Sequence, residues 1–459
     1  MKTMSQNRVK YSSNLLKYFV FNSDWGSDEG SEHLKIVYFY KANCVDVLTD
    51  EMISECGLAQ AVITFVNNFT TDKDSCEALH GIKNRLIFYE METNFWSVIV
   101  LSVPYSVLKS NEDSNQIIEY HNEEINDSFI KLILQNIYQY FRLINGPIDK
   151  LWQTCNENRD QFLSVCKVFY DNIIPNIRLS PISLIEVYSA IQYLPLDSLT
   201  FMSTQSFVNH LKCIDCQLIR HTMFLYNDQL VCSSLPLNDT KTLYNYLVSV
   251  IIPDAVCEEI SGQQSAKTRW ILKDLKVYLQ DCDQQWYQMS LYRSINGSTF
   301  VLLLSQPNQL LLTKCEALMV SRIVSLTTKL AEIAIKINGT TNTSTDPVAK
   351  ETFKFVYFNS SNNAFKANIS ALFDQRKITE SEFVKLVVDI DSDLQTVIKS
   401  HNVCEIISKT TNDSWLIVHH SDDRTLFSML NHKNANLIEA SDTVNALTCK
   451  QFKNILFVD

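Results

Sequence analysis

Four side chains that can ligate a metal fall within twelve residues near the middle of the chain, as His210-x2-Cys213-x2-Cys216-x4-His221. Imidazole and thiolate are the ligands a tetrahedral zinc ion takes. A closed zinc site is built from two ligand pairs separated by a loop long enough to fold around the ion, whereas these four run together and His221 opens a predicted strand. The spacing therefore reads as a helix end with incidental cysteines. Asp389-x-Asp391-x-Asp393 imitates the start of a calcium loop, but Leu394 stands where the turn glycine belongs and Ser400 where the bidentate glutamate belongs, so the expectation is an acidic helix face in solvent. His419-His420 is an isolated pair in a strand pattern, and the chain has neither G-x-S-x-G nor H-E-x-x-H. No metal, cofactor or catalytic side chain is expected.

The phosphate-binding alternatives fail on glycine. The chain has 8 glycines in 459 residues, where about 7% is usual. Gly26 and Gly30 are the only pair close enough to share a short loop, which excludes a dinucleotide-binding fingerprint and a P-loop. With 51 acidic against 40 basic residues the formal charge is −11, which argues against nucleic acid as a partner, because phosphate neutralisation supplies much of such binding. The first 23 residues carry Lys2, Arg8, Lys10 and Lys17 without an acid, and read as a solvated tail followed by a strand. Thirteen cysteines form no framework and no signal-peptide pattern opens the sequence, so a reducing, cytoplasmic setting is expected. No apolar run approaches the roughly 20 residues of a spanning helix, which leaves peripheral membrane association.

Half-buried strands and helices remain to be placed. Residues 15–24 and 35–43 read as a strand pair around a loop holding Trp25, Gly26 and Gly30. A helix is predicted at 51–69. Met52, Cys56, Ala59, Ile63 and Val66 recur along it at spacings of 4, 3, 4 and 3, and Leu58, Val62, Phe65 and Phe69 form a second stripe at 4, 3 and 4. One stripe suffices to cover a sheet, so the second is expected to meet something else, either a neighbouring helix of the same domain or a partner. Strands at 79–92 and 95–103 and helices at 127–145 and 151–174 complete a first unit.

A comparable order returns twice. A hairpin is predicted around Asn227-Asp228, then a helix at 239–252, strands at 270–280, 285–293 and 298–304, and a long helix at 309–337. After the loop-like segment 338–347, strands are predicted at 352–359, 403–409, 414–420, 424–432 and 452–458, with a helix at 379–398. Three α+β units follow, spanning 1–178, 179–345 and 346–459, with 179–213 bridging the first two.

Specific strings then point to a family. Leu15 to Asn22 with the loop Trp25-Gly26-x-x-Glu29-Gly30, Gly57-Leu58, Asn94-Phe95-Trp96, Phe224 to Leu230, Phe353 to Asn359, Lys433 to Glu439, Gln451-Phe452 and Phe457-x-Asp459 resemble the Ccz subunits of Mon/Ccz complexes, from the first strand to the last residue. These complexes are guanine nucleotide exchange factors for the late-endosomal and vacuolar Rab GTPase. The resemblance implies three longin-like domains, each an antiparallel sheet flanked by helices, and an obligate heterodimer with a Mon subunit whose first longin domain joins this one in a platform for the Rab. It also implies endosome maturation, vacuole fusion and autophagosome clearance as the setting, recruitment to late endosome, lysosome or autophagosome membranes through partners, and a third regulatory subunit in animals. No bond-making side chain is needed. Trp25, Gly26, Glu29, Gly30, Leu58, Val62, Phe65, Phe69, Phe95 and Trp96 are the candidate partner-binding residues, with the interior of the domain as the alternative place for Trp25, Phe95 and Trp96. A trafficking adaptor or tether on the same domains is the alternative function.

Overall fold

The computed structural model describes residues 8–44, 47–69, 76–109, 116–177, 179, 189–260, 269–282, 284–294, 297–340, 353–367, 378–398, 403–431 and 435–451. They divide into two compact units, Met1–Pro181 and Ile182–Asp459. The strand expected at 452–458 and most of the 338–347 segment lie outside the described residues.

In the first unit, β1 (Arg8–Tyr11), β2 (Leu15–Asn22) and β3 (Ile36–Lys41) precede α1 (Thr49–Phe69), followed by β4 (Ala78–His80), β5 (Asn84–Glu92), β6 (Phe95–Ser102), β7 (Tyr105–Lys109) and β8 (Gln116–Tyr120). The main sheet has the order β3-β2-β6-β5-β4 with every neighbouring pair antiparallel. Side chains alternate between faces along β2. Phe19 and Phe21 join Cys56, Ala59 and Ile63 of α1 in one core, whereas the Tyr18 ring meets Tyr170 from the helices behind the sheet at 5.7 Å, tilted 45°. Those are α2 (Asp127–Asn145), α3 (Ile148–Thr154) and α4 (Arg159–Ile173). Asn126 caps α2 by accepting from the Phe129 N–H, and Gly146 ends it at a φ of 78°. The single helix expected at 151–174 is two helices, broken where Asn156 and Glu157 take φ values of 52° and 59°.

β1, β7 and β8 form a small separate sheet in the order β1-β7-β8, so the basic N-terminal segment contributes a strand.

Among the described residues of the second unit α5 (Ser198–Cys213) precedes the sheets, and the architecture is then repeated twice. β9 (Ile219–Tyr226), β10 (Gln229–Ser233), β11 (Arg269–Leu279), β12 (Gln285–Arg293) and β13 (Ser298–Leu304) pair as β10-β9-β13-β12-β11. β14 (Phe353–Asn359), β15 (Ala364–Ala367), β16 (Val403–Lys409), β17 (Trp415–Ser421) and β18 (Arg424–Leu430) pair as β15-β14-β18-β17-β16. Asn227 and Asp228 both have positive φ, the backbone a two-residue hairpin requires.

Between their second and third strands these sheets insert α6 (Leu237–Tyr246) continuing into α7 (Ile252–Ile260), and α9 (Ile378–Ile398); α8 (Gln309–Thr340) follows β13 and α10 (Leu437–Gln451) follows β18. A π turn at Leu247–Ile251 joins α6 to α7 just before Pro253, whose missing N–H and bulky ring an unbroken α-helix does not accommodate. α5 and α8 cover one face of the second sheet through Phe207, Leu211, Leu312 and Met319. α10 covers one face of the third through Ala440 and Val444. Asp239, at the start of α6, accepts the backbone N–H groups of Gln280, Asp281 and Cys282 at 3.0 Å each, which fixes the β11–β12 turn against the helix.

Candidate protein interface on the first domain

The Asn22 side chain is buried and its Oδ1 accepts the N–H groups of Asp24 and Trp25 at 2.9 and 3.1 Å. This Asx turn aims Trp25 back over the domain, where its ring meets Phe95 at 5.6 Å, Trp152 at 5.0 Å and Phe162 at 6.0 Å. The loop is stitched to the β5–β6 hairpin by the Ser23 N–H on the Asn94 carbonyl at 2.9 Å. Gly26 has a φ of 59°, and a Cβ there would meet the Ser31 carbonyl oxygen at 2.3 Å; Gly30 has a φ of 86° with open space around it. Glu29 is exposed at the tip.

Trp25 is thus the half-buried hinge of an aromatic cluster, and Phe95 at 7% exposure belongs to the same cluster. Trp96 points to the opposite face and joins the core beneath α1 at 5% exposure. Phe95 and Trp96 therefore present no surface of their own, because successive residues of a strand buried on both faces both enter a core.

α1 separates its two stripes. Cys56, Ala59 and Ile63 are buried, with Met52 and Val66 at the margin. On the outer side Leu58 is 49% exposed, Phe65 64% and Phe69 75%, and the last two rings lie 4.6 Å apart. Val62 is half-buried and packs against the α1 core, so it is the hinge between the stripes rather than part of the open one. Gly57 lies beside Leu58 with nothing within 4 Å of the position a Cβ would take.

The N-terminal half of α1 is held by charge. The Lys17 ammonium lies 2.9 Å from Glu51 and 2.7 Å from Glu55, and Lys41 lies 2.8 Å from Glu51. Burial disfavours the Lys17 charge, but its hydrogen bonds to Glu55 and Glu51 outweigh that and hold it above the usual lysine value. Hydrogen bonds from Lys41 and Lys17 hold the Glu51 carboxyl below the ordinary range. Farther along, Gln60 Nε2 donates to the Ser23 carbonyl at 3.1 Å and ties mid-helix to the start of the Trp25 loop. From Gly57 to Phe69 α1 carries no charged residue. The helix in the corresponding place in the third sheet, α9, exposes Lys385, Asp389 and Asp393 one turn apart.

The residues singled out for metal chemistry are dispersed in role. His210, Cys213 and Cys216 are exposed around the end of α5, while the His221 ring packs edge-on against Tyr287 at 5.5 Å. Asp389, Asp391 and Asp393 lie within helix α9 rather than in a loop. Among the described residues no group of three or more His, Cys, Asp or Glu could hold a metal ion. No described helix is long and apolar enough to cross a membrane.

Sequence comparison supplies the family. Residues 15–146 match the model described as the first longin domain of INTU, CCZ1 and HPS4, 219–332 match Intu longin-like domain 2 and 349–447 match Intu longin-like domain 3. The chain is 31% identical to a vacuolar fusion protein CCZ1 homolog of Nematostella vectensis over 98% of its own length and 99% of the relative's. Similar matches reach Danio rerio, at 29% over 98% and 97%, and Dictyostelium discoideum, at 25% over 97% and 98%. The chain belongs to the CCZ1 family. Its fold is three longin-like domains, and within this CCZ1-family chain both the α1 stripe and the Trp25 loop fall inside the first longin match. The hairpin β7–β8 falls inside it as well, whereas β1 precedes it.

Proposed function

We propose that this chain is one subunit of a heterodimeric guanine nucleotide exchange factor for a late-endosomal Rab GTPase, with a Mon subunit as its obligate partner and a role in vacuolar fusion, endosome maturation and autophagosome clearance. The observation that carries the reading is the outer face of α1, an uncharged apolar stripe on the domain that matches the first longin model, while the corresponding helix α9 exposes charge. Names of relatives over nearly the whole chain support the vacuolar-fusion setting. The stripe packs on Mon or on the GTPase, with the Trp25 loop at the edge of the platform. The domains divide near residues 178 and 345, and the complex reaches late endosome, lysosome and autophagosome membranes peripherally from the cytoplasm, with a third subunit as regulator.

Such a subunit breaks no covalent bond. A platform that binds the opened switch region of the GTPase better than the closed one shifts the equilibrium toward nucleotide release by that difference in affinity. The phosphate-binding loop belongs to the GTPase, which accords with a chain this poor in glycine. The test is release of labelled GDP from the cognate Rab by the purified complex with Mon. Acceleration over Rab alone is expected, and binding without acceleration would overturn the exchange reading in favour of an adaptor or tether.

A further inference from the structure

Ahead of α5, residues 190–194 run as an extended strap whose hydrogen bonds divide by parity. Ile191 donates its N–H to the Asn363 carbonyl at 2.7 Å and its carbonyl accepts the Phe365 N–H at 2.9 Å. The Gln192 carbonyl accepts the Leu230 N–H at 2.8 Å, and the Leu194 N–H donates to the Leu230 carbonyl at 2.9 Å. In an extended chain alternate residues turn their polar backbone groups to opposite edges. One edge of the strap therefore bonds β15 and the other bonds β10, each as a parallel bridge, Ile191 to Ala364 and Tyr193 to Leu230. β10 and β15 are the outermost strands of the second and third sheets. Ala190 and Ile191 are fully buried and Leu194 is 5% exposed, and the Tyr193 hydroxyl donates to the Asn362 carbonyl at 3.3 Å.

We propose that residues 190–194 are a shared strand that couples the second and third domains into one mechanical unit and at the same time closes the β10 and β15 edges to strands from other chains. An unpaired edge strand invites addition of another chain, and a strand seated on it removes that invitation. One five-residue segment does this for two sheets. It lies in the stretch that leads from the first domain, so the coupling is made by a segment contiguous with neither sheet it joins.

The test uses the full chain with a protease site inserted within residues 341–347. After cleavage the two fragments of the parent chain elute together from a sizing column. In the Ile191→Pro/Phe365→Pro variant, which lacks both N–H donors on the β15 side and keeps those on the β10 side, they elute apart, and the freed piece elutes larger than its mass where strand addition joins copies. Separation of the parent fragments, or co-elution of the variant fragments, would overturn the coupling. Because Ile191 is buried and the proline variant can fail to fold, Ile191→Cys/Ala364→Cys gives an independent reading. Bridge partners lie within the reach of a disulfide, so oxidised glutathione joins the cleaved fragments into one band on a non-reducing gel while the parent gives two. Failure to cross-link overturns the proposal whatever the proline variant does.

Discussion

The Phe65 and Phe69 rings meet at 4.6 Å, tilted 42° to each other, on the solvent side of α1, at 64% and 75% exposure, although the same helix turns a second apolar stripe into the core on its other side. Replacing either ring with aspartate removes no core contact. Phe65→Asp and Phe69→Asp are therefore expected to leave thermal unfolding within about 0.5 kcal/mol of the parent while co-purification with one of the two proposed partners, the Mon subunit or the Rab, is lost. Val62→Asp makes the comparison, because Val62 packs on the core and its charge costs stability as well. Unfolding of the two phenylalanine variants would place the stripe in the interior.

The two glycines of the Trp25 loop are expected to differ. At Gly30 an added methyl finds open space, so Gly30→Ala costs only the positive-φ penalty of about 1–2 kcal/mol. At Gly26 the same penalty is joined by a Cβ 2.3 Å from the Ser31 carbonyl oxygen, which the backbone must move to relieve. Chemical denaturation of the two variants should rank Gly26→Ala as the more destabilised, with Trp25 fluorescence reporting displacement of its ring from Trp152 and Phe162.

The third domain is expected to weaken in mild acid. Burial lowers the His419 value below its ordinary 6.5, against an opposing pull from Glu405 at 3.8 Å. Burial also lowers that of His420, whose Nδ1 faces Thr425 Oγ1 at 2.9 Å and whose charge Asp422 and Asp423 favour. A base whose folded value is depressed takes up its proton first in the unfolded chain. Stability is then unaffected above pH 6.5 and falls as the pH drops from there toward the folded values. Thermal unfolding between pH 7.5 and 5 measures this (range of about two units around the histidine value), and His420→Gln, which retains a partner for Thr425, should flatten the acid limb. An unchanged slope in that variant would remove His420 from the account.

Thiol reactivity should divide the cysteines. Cys44, Cys213, Cys216 and Cys257 are exposed. Burial pushes Cys56 and Cys166 up to about 12 each, so neither supplies thiolate at neutral pH. Brief alkylation of the native chain followed by mass spectrometry should mark Cys44, Cys213, Cys216 and Cys257 and leave Cys56 and Cys166 unmodified until denaturant is added.

Local chemistry made much of this fold legible. The Asn227-Asp228 turn carries its own conformational signal, and the α2 boundaries are written in Asn126 and Gly146. The two stripes of α1 were separable by spacing alone, though only packing shows which is open and that Val62 stands between them. What stayed hidden depends on distant or weak partners. β1 pairs with β7 nearly a hundred residues away, as Val9 opposite Val107, and four-residue strands have too little pattern to announce themselves. The break in the 151–174 stretch falls at Asn156-Glu157, without a glycine or proline to mark it. α10 was missed because its buried face rests on small residues such as Ala440. The extended form of residues 190–194 goes with its bonds to two sheet edges that are distant in sequence.

The strand order repeated in the three five-stranded sheets has an evolutionary consequence. A scaffold present three times in one chain can lose a function in two copies without losing it altogether, so each copy is free to specialise by changing only the residues that face outward. The helix inserted after the second strand is where that freedom is visible, apolar outside in α1 and charged outside in α9. If the α1 stripe is the partner site proposed above, exchanging those outward residues between copies, with the sheets untouched, would move that site from one domain to another.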